Sequence, residues 1–358
     1  DVAHVYFSTP KRKYIIADSP GHVEYTRNMV TGASTAHVSV ILIDARHGVV
    51  EQTYRHFFIS TLLRIPKVLV CVNKMDLVDF SQDVFSNVVS DFYAFAEKIR
   101  FDGQIIDFIP VCGLHGDNIA TSSQRMPWYE GRTLLQELEN TEIEERTSAL
   151  PARFPVQYVV RPRTEAFHDY RGYAGWLASG TLRVGDKVTA LPSGQQSVVR
   201  HIQKFDDGLP EAHAGDSVTL LLADDIDLSR GNMLVRHGEE PVEARYLVAQ
   251  VCWMAHEPLV AGKLYWLQHG NQTVKARVEA IEHVTMPGTL EQVAATQLKL
   301  NDIATVSLKL AQPVFADAFA ANKANGGFIL IDPSSNNTAG AGFVQEVHET
   351  VPVQEFSI

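Results

Sequence analysis

Three short apolar runs limit what this chain can fold into. KYIIAD (13–18), HVSVILIDA (37–45) and KVLVCVNKMD (67–76) are rich in β-branched residues and almost unbroken by polar ones. That pattern predicts strands covered on both faces rather than on one. Between them, HVEYTRNMVTGAST (22–35) and EQTYRHFFISTLLR (51–64) place apolar residues at helical spacing. SQDVFSNVVSDFYAFAEKIR (81–100) starts on Ser81 and ends among basic residues, as a helix should. IIDFIPVCG (105–113) reads as a further strand, and WYEGRTLLQELENTEIEE (128–145) as a closing helix. Strand–helix–strand repetition of this length predicts a parallel α/β sheet with right-handed crossovers.

Past SALPARFP (148–155), which has the small-residue and proline content of a linker, the texture changes. Short strands such as GWLASGTL, DKVTALPSG and DSVTLLLA are punctuated by turn signals, which predicts an all-β barrel or sandwich. EEPVEARYLVAQVCWM (239–254) opens a second β unit. The expected divisions are therefore 1–150, 151–240 and 241–358, an α/β domain followed by two antiparallel β-barrels. At 358 residues each can bury a core of its own.

Charge and cysteine usage narrow the function classes. With 31 Lys+Arg against 42 Asp+Glu, the net charge of −11 argues against coating nucleic acid or anionic lipid by charge alone. Cys71, Cys112 and Cys252 are too few and too far apart for a disulfide framework, which suggests a reducing, cytoplasmic setting. No apolar run approaches the ~18 residues of a membrane span. The chain opens on Asp1, and its first residues read as the middle of a domain.

Two motifs end buried strands. In IIADSPGH (15–22) the chain emerges at the carboxyl end of a strand, where open α/β sheets bind ligands. Asp18 there can serve a Mg²⁺ through water, and Gly21, lacking a Cβ, can bring its N–H close to a phosphate oxygen. His22 can orient an attacking water. The bland alternative is a D-x-P-G turn with His22 on the surface. VCVNKMD (70–76) supplies Asn73, Lys74 and Asp76 at the end of another strand. A carboxylate at Asp76 can accept from both N1–H and the exocyclic amine of guanine, a pair adenine lacks, and a site built for such groups discriminates strongly. The Lys74 stem can lie over a base face and Asn73 can tie neighbouring loops together.

Together these residues resemble the translation-factor-type GTPases: DSPGH (Asp18, Ser19, Pro20, Gly21, His22) is similar to switch II and NKMD to the guanine-specificity motif. Within that superfamily, FSTPKRKYIIADSPGHVEYTRNMVTGAST, RMPWYEG, RFPVQYVVRP, LKLNDIATVSLKL and NKANGGFILIDPSSNNTAGAG resemble the large, GTP-hydrolysing subunit family of bacterial ATP sulfurylase. The resemblance implies an α/β P-loop GTPase domain followed by two antiparallel β-barrels. It implies GTP and Mg²⁺ as cofactors, with Asp18 serving the metal, Pro20 and Gly21 the phosphate side, and His22 the hydrolytic water. Asn73, Lys74 and Asp76 would read the base. It also implies a small catalytic partner subunit, in a heterodimer or higher assembly, that makes adenosine 5′-phosphosulfate from ATP and sulfate. No membrane or nucleic-acid partner is expected. The competing expectation is an elongation factor whose barrels deliver aminoacyl-tRNA.

The chain departs from the family's pattern in three places. The phosphate loop G-x-x-x-x-G-K-[ST] and the switch I threonine are not in the sequence, and both are expected upstream of Asp1. VCGLHGD (111–117) stands where the family usually has S-A-L-x-G-D-N. The main chain of Cys112, Gly113 and Leu114 is expected to present N–H groups to guanine O6, with Cys112 a packing residue rather than a nucleophile. The histidines, His115 among them, show no metal-ligand spacing, so no zinc site is expected.

Overall fold

The computed structural model describes residues 3–19, 26–142, 146–161 and 170–350. The chain divides into two compact units, Asp1–Ile143 with Thr285–Gln292, and Glu144–Val284 with Val293–Ile358.

In the first unit β1 (Ala3–Ser8) and β2 (Lys13–Asp18) form an antiparallel hairpin. A separate parallel sheet runs in the order β3 (Val38–Asp44), β4 (Lys67–Asn73), β5 (Ile105–Pro110). The helices are α1 (Thr26–Ala33), α2 (Glu51–Leu62), α3 (Gln82–Ala96) and α4 (Leu134–Asn140). Ser81 starts α3 as expected, its hydroxyl accepting from the Val84 N–H at 3.3 Å. Val68, Val70 and Val72 of β4 pack with Phe57 of α2 and Phe92 of α3, whose rings meet edge to face at 5.0 Å.

Two local expectations need correction. Only β4 is covered on both faces. In β3 Ile41 and Ile43 are buried, but Val40 and Leu42 are 43% and 65% exposed, and in β2 Ile15 is 66% exposed. The reason is neighbourhood: among the described residues β3 pairs only with β4 and β2 only with β1. The helix expected over 128–145 is confined to Leu134–Asn140. Thr133 caps it, accepting from the Gln136 N–H at 3.3 Å while Gln136 Oε1 accepts from the Thr133 N–H at 3.0 Å. Trp128 and Tyr129, ahead of that cap, pack on the core instead.

The second unit holds two closed antiparallel barrels. The first is ordered Gln195–Lys204, Ser217–Leu222, Gly172–Trp176, Arg153–Val160, Met233–Arg236, Lys187–Leu191, and closes by pairing Lys187–Leu191 with Gln195–Lys204. The second runs Leu264–His269, Gly327–Ile331, Thr338–His348, Glu243–Trp253, Ile303–Phe315, Gln272–Thr285, and closes by pairing Leu264–His269 with Gln272–Thr285. Closure removes the unpaired edges that would otherwise invite aggregation.

Acid sensitivity is built into the first barrel at Glu240. Its carboxylate accepts from the Thr189 hydroxyl at 2.6 Å and from the Gly238 N–H at 2.9 Å. The Thr189 bond is the largest cause that draws its pKa from 4.5 down to about 2. The folded value lies below the unfolded one, so the charged form stabilises the fold above about pH 4.5, and that contribution disappears as pH falls towards 2. Glu240→Gln should therefore lower the thermal midpoint more at neutral pH than at about pH 3. Equal shifts at both pH values would remove this assignment.

Candidate functional site

The residues expected to read a base gather where β4 and β5 end side by side. Val111 donates its N–H to the Val72 carbonyl at 2.8 Å, and Met75 returns one to Val111 at 3.3 Å. This locks the turn carrying Lys74 and Asp76 to the loop carrying Cys112–Leu114. Asn73 ties the two together as its residue type suggested: Oδ1 accepts from the Lys74 N–H at 2.7 Å and from the Gly113 N–H at 3.0 Å. Lys74 sits in the left-handed region at φ 62°, a strain of about 1 kcal/mol that the Asn73 bonds help to hold.

Asp76 is half-buried and its Oδ1 accepts the Cys112 thiol at 3.0 Å. That thiol bond is the main reason the Asp76 carboxyl lies below the ordinary carboxylate range. Burial pushes the Cys112 thiol up, so thiol donor and carboxylate acceptor are both the neutral-pH forms. A buried, protonated thiol is inert as a nucleophile, consistent with a packing role.

Two residues that sequence reasoning missed complete this frame. Asp44, at the end of β3, accepts the Lys74 ammonium at 2.8 Å and a two-point contact from Arg46 at 3.0 and 2.7 Å. The Arg46 bond is the largest of the causes that hold the Asp44 carboxyl far below its usual range. An aspartate ending the apolar run 37–45 was the available signal. The second is His115, one ring nitrogen of which, the Cys112 sulfur and an Asp76 oxygen all lie within 4.8 Å of one another. The C-x-x-H spacing of Cys112 and His115 was the overlooked cue.

The loop itself is pinned by the G-D-N segment. Cys112 donates its N–H to the Asp117 carbonyl at 3.2 Å, and Asn118 donates its amide to the Pro110 carbonyl at 2.9 Å. Of the three N–H groups expected to face a base carbonyl, those of Cys112 and Gly113 are thus engaged. The Leu114 side chain is 80% exposed. Asp18 closes β2, exposed, and its carboxylate joins no ion pair among the described residues. Pro20, Gly21 and His22 lie outside the described residues.

Comparison with known proteins bears on the same features. Residues 1–147 match the family model for the elongation factor Tu GTP binding domain, and 246–345 the GTP-eEF1A C-terminal domain-like model. Sulfate adenylyltransferase subunit 1 of Citrobacter koseri is 49% identical over 346 residues, 97% of this chain and 72% of that protein. The chain belongs to the sulfate adenylyltransferase subunit 1 family. Its Laribacter hongkongensis member is 47% identical over 99% of this chain and 73% of its own length. A crystal structure of Sup35 complexed with GMPPNP matches with a TM-score of 0.53 at 21% identity, covering 96% of this chain and 84% of that one. That likeness concerns the fold, a GTPase domain followed by two barrels. As a member of the subunit 1 family the chain carries a GTP-binding domain, which the family model places over residues 1–147. No helix among the described residues is long and apolar enough to cross a membrane.

Proposed function

We propose that this chain is the GTP-hydrolysing regulatory subunit of a sulfate adenylyltransferase. It couples GTP hydrolysis to formation of adenosine 5′-phosphosulfate and pyrophosphate from ATP and sulfate on a small catalytic partner, as a cytoplasmic heterodimer or higher assembly. The observation that carries the reading is the assembled base frame, in which Asn73 and Cys112 hold Lys74 and Asp76 in place, in a chain nearly half identical to subunit 1 proteins.

In this reading Asp76 accepts from guanine N1–H and the exocyclic amine, and the Lys74 stem covers the base. Leu114, whose side chain stands out into solvent, offers its N–H to guanine O6. Asp18, exposed and unpaired among the described residues, fits a role in holding Mg²⁺ through water. The ion supplies charge neutralisation on the phosphates when bound. His22 orients the attacking water, and Pro20 and Gly21 serve the terminal phosphate.

The test is GTP turnover with defined partners. Turnover is expected to be slow for the subunit alone and to accelerate when the small catalytic subunit, ATP and sulfate are supplied together. Acceleration by ribosomes, with none from that mixture, would overturn the proposal in favour of aminoacyl-tRNA delivery. In the stimulated assembly His22→Ala should slow turnover by about 10²-fold or more with GTP affinity nearly intact. A loss of affinity instead would count against its water-orienting role.

A further inference from the structure

We propose that Asp76, Cys112 and His115 form a binding site for one divalent cation of the zinc class, and that this cation competes with guanine for Asp76.

The three groups are brought together by the build of the loop. Gly116 donates its N–H to the Cys112 carbonyl at 2.8 Å, closing a single turn that puts residues 112 and 115 on the same side. Asp76 approaches from the end of the neighbouring strand, so three kinds of donor meet: one sulfur, one imidazole nitrogen and one carboxylate oxygen. A hard cation such as Mg²⁺ or Ca²⁺ selects an all-oxygen set, whereas a mixed S/N/O set suits zinc-class ions.

The spacing is close to what such an ion needs. Metal–ligand bonds of about 2.0–2.3 Å in a tetrahedron set the ligand atoms roughly 3.4–3.6 Å apart. The Cys112 sulfur and Asp76 Oδ1 stand 3.0 Å apart and all three atoms lie within 4.8 Å. Opening the first pair by about half an ångström and swinging in the His115 ring therefore completes three ligands. That ring is free to swing, being exposed and without a hydrogen-bond partner among the described residues. Water takes the fourth position.

Charge and atoms balance. The Cys112 S–H bond breaks as the sulfur–metal bond forms, the proton leaves to solvent, and thiolate plus carboxylate neutralise a 2+ ion. A metal on one Asp76 oxygen takes an acceptor that the guanine reading assigns to the base and brings positive charge against the base's N–H donors. The competition rests on that reading of Asp76; the metal site does not.

Cobalt(II), a spectroscopic stand-in for zinc, provides the test. Titration of the chain should show one thiolate-to-cobalt charge-transfer band, saturating near one ion per chain with about one proton released. Zinc should displace the cobalt. Cys112→Ser should abolish the band, and His115→Ala, a change at an exposed position, should weaken binding at least about tenfold. No thiolate band, a band that persists in Cys112→Ser, or unchanged affinity in His115→Ala overturns the site. Added GDP should bleach the band. If the band passes the variant tests but GDP leaves it unchanged, the metal site stands and the competition, together with the assignment of Asp76 to guanine, falls.

Discussion

Asp76→Asn should invert the base preference of this chain, raising the dissociation constant for GTP relative to xanthosine triphosphate by about 10²- to 10⁴-fold. In the proposed reading the Asp76 carboxylate accepts two hydrogen bonds from guanine. Bonds to a charged acceptor contribute about 1.5–3 kcal/mol each, and every 1.4 kcal/mol is tenfold. The structure says which way the new amide faces. The Cys112 thiol donates to Oδ1 at 3.0 Å, so the amide keeps its oxygen towards the thiol and turns its NH₂ to the base. A donor there opposes the guanine amine and matches the xanthine C2 carbonyl. Competition binding that reports the ratio of the two constants tests this independently of how tightly the phosphates are held. An unchanged ratio would remove Asp76 as the base reader.

Arg153→Ala should destabilise the two-barrel unit by about 3–5 kcal/mol, the range for breaking a buried ion pair from one side. The Arg153 side chain is 3% exposed and reaches from the first barrel to Asp317 of the second, with Nε to Oδ2 at 2.9 Å and Nη2 to Oδ1 at 3.0 Å. Its remaining nitrogen serves the Ala152 and Glu239 carbonyls at 3.0 and 2.8 Å. Among the described residues, truncation leaves those carbonyls without a side-chain donor and leaves the Asp317 carboxylate with the side-chain amides of Asn322 and Asn325, at 3.1 and 2.9 Å. Arg153→Lys keeps the charge but loses the planar two-point contact, so an intermediate loss is expected. Urea unfolding followed by fluorescence of Trp253, buried at 1% exposure in the second barrel, measures both. A loss below about 1 kcal/mol for the alanine variant would mean that the Arg153–Asp317 pair adds little to what holds this unit together.

What local sequence could specify, it specified. Unbroken β-branched residues make Lys67–Asn73 a fully covered strand, Ser81 starts its helix, and NKMD lies at a strand end because the hydrophobic run stops there. Each of these depends on residues within one turn or one strand. The coverage of β2 and β3 was not legible, because burial is a property of neighbours and a run of valines and isoleucines does not state who its neighbours are. The short α4 was legible in Thr133 and Gln136, whose capping signal was overshadowed by the longer apolar pattern.

The site divides the same way. Asn73, Lys74 and Asp76 are one contiguous motif, and the sequence alone determined their type and order. That Lys74 is anchored by Asp44 follows from the parallel register that sets Asp44 beside Asn73. That Asp76 shares its carboxylate with Cys112 and faces His115 follows from β4 and β5 ending together. Arg153 and Asp317 meet across 164 positions of chain. In each case the residues were visible and the pairing was not, because strand register and barrel closure bring together groups whose separation along the chain carries no information about their distance in space.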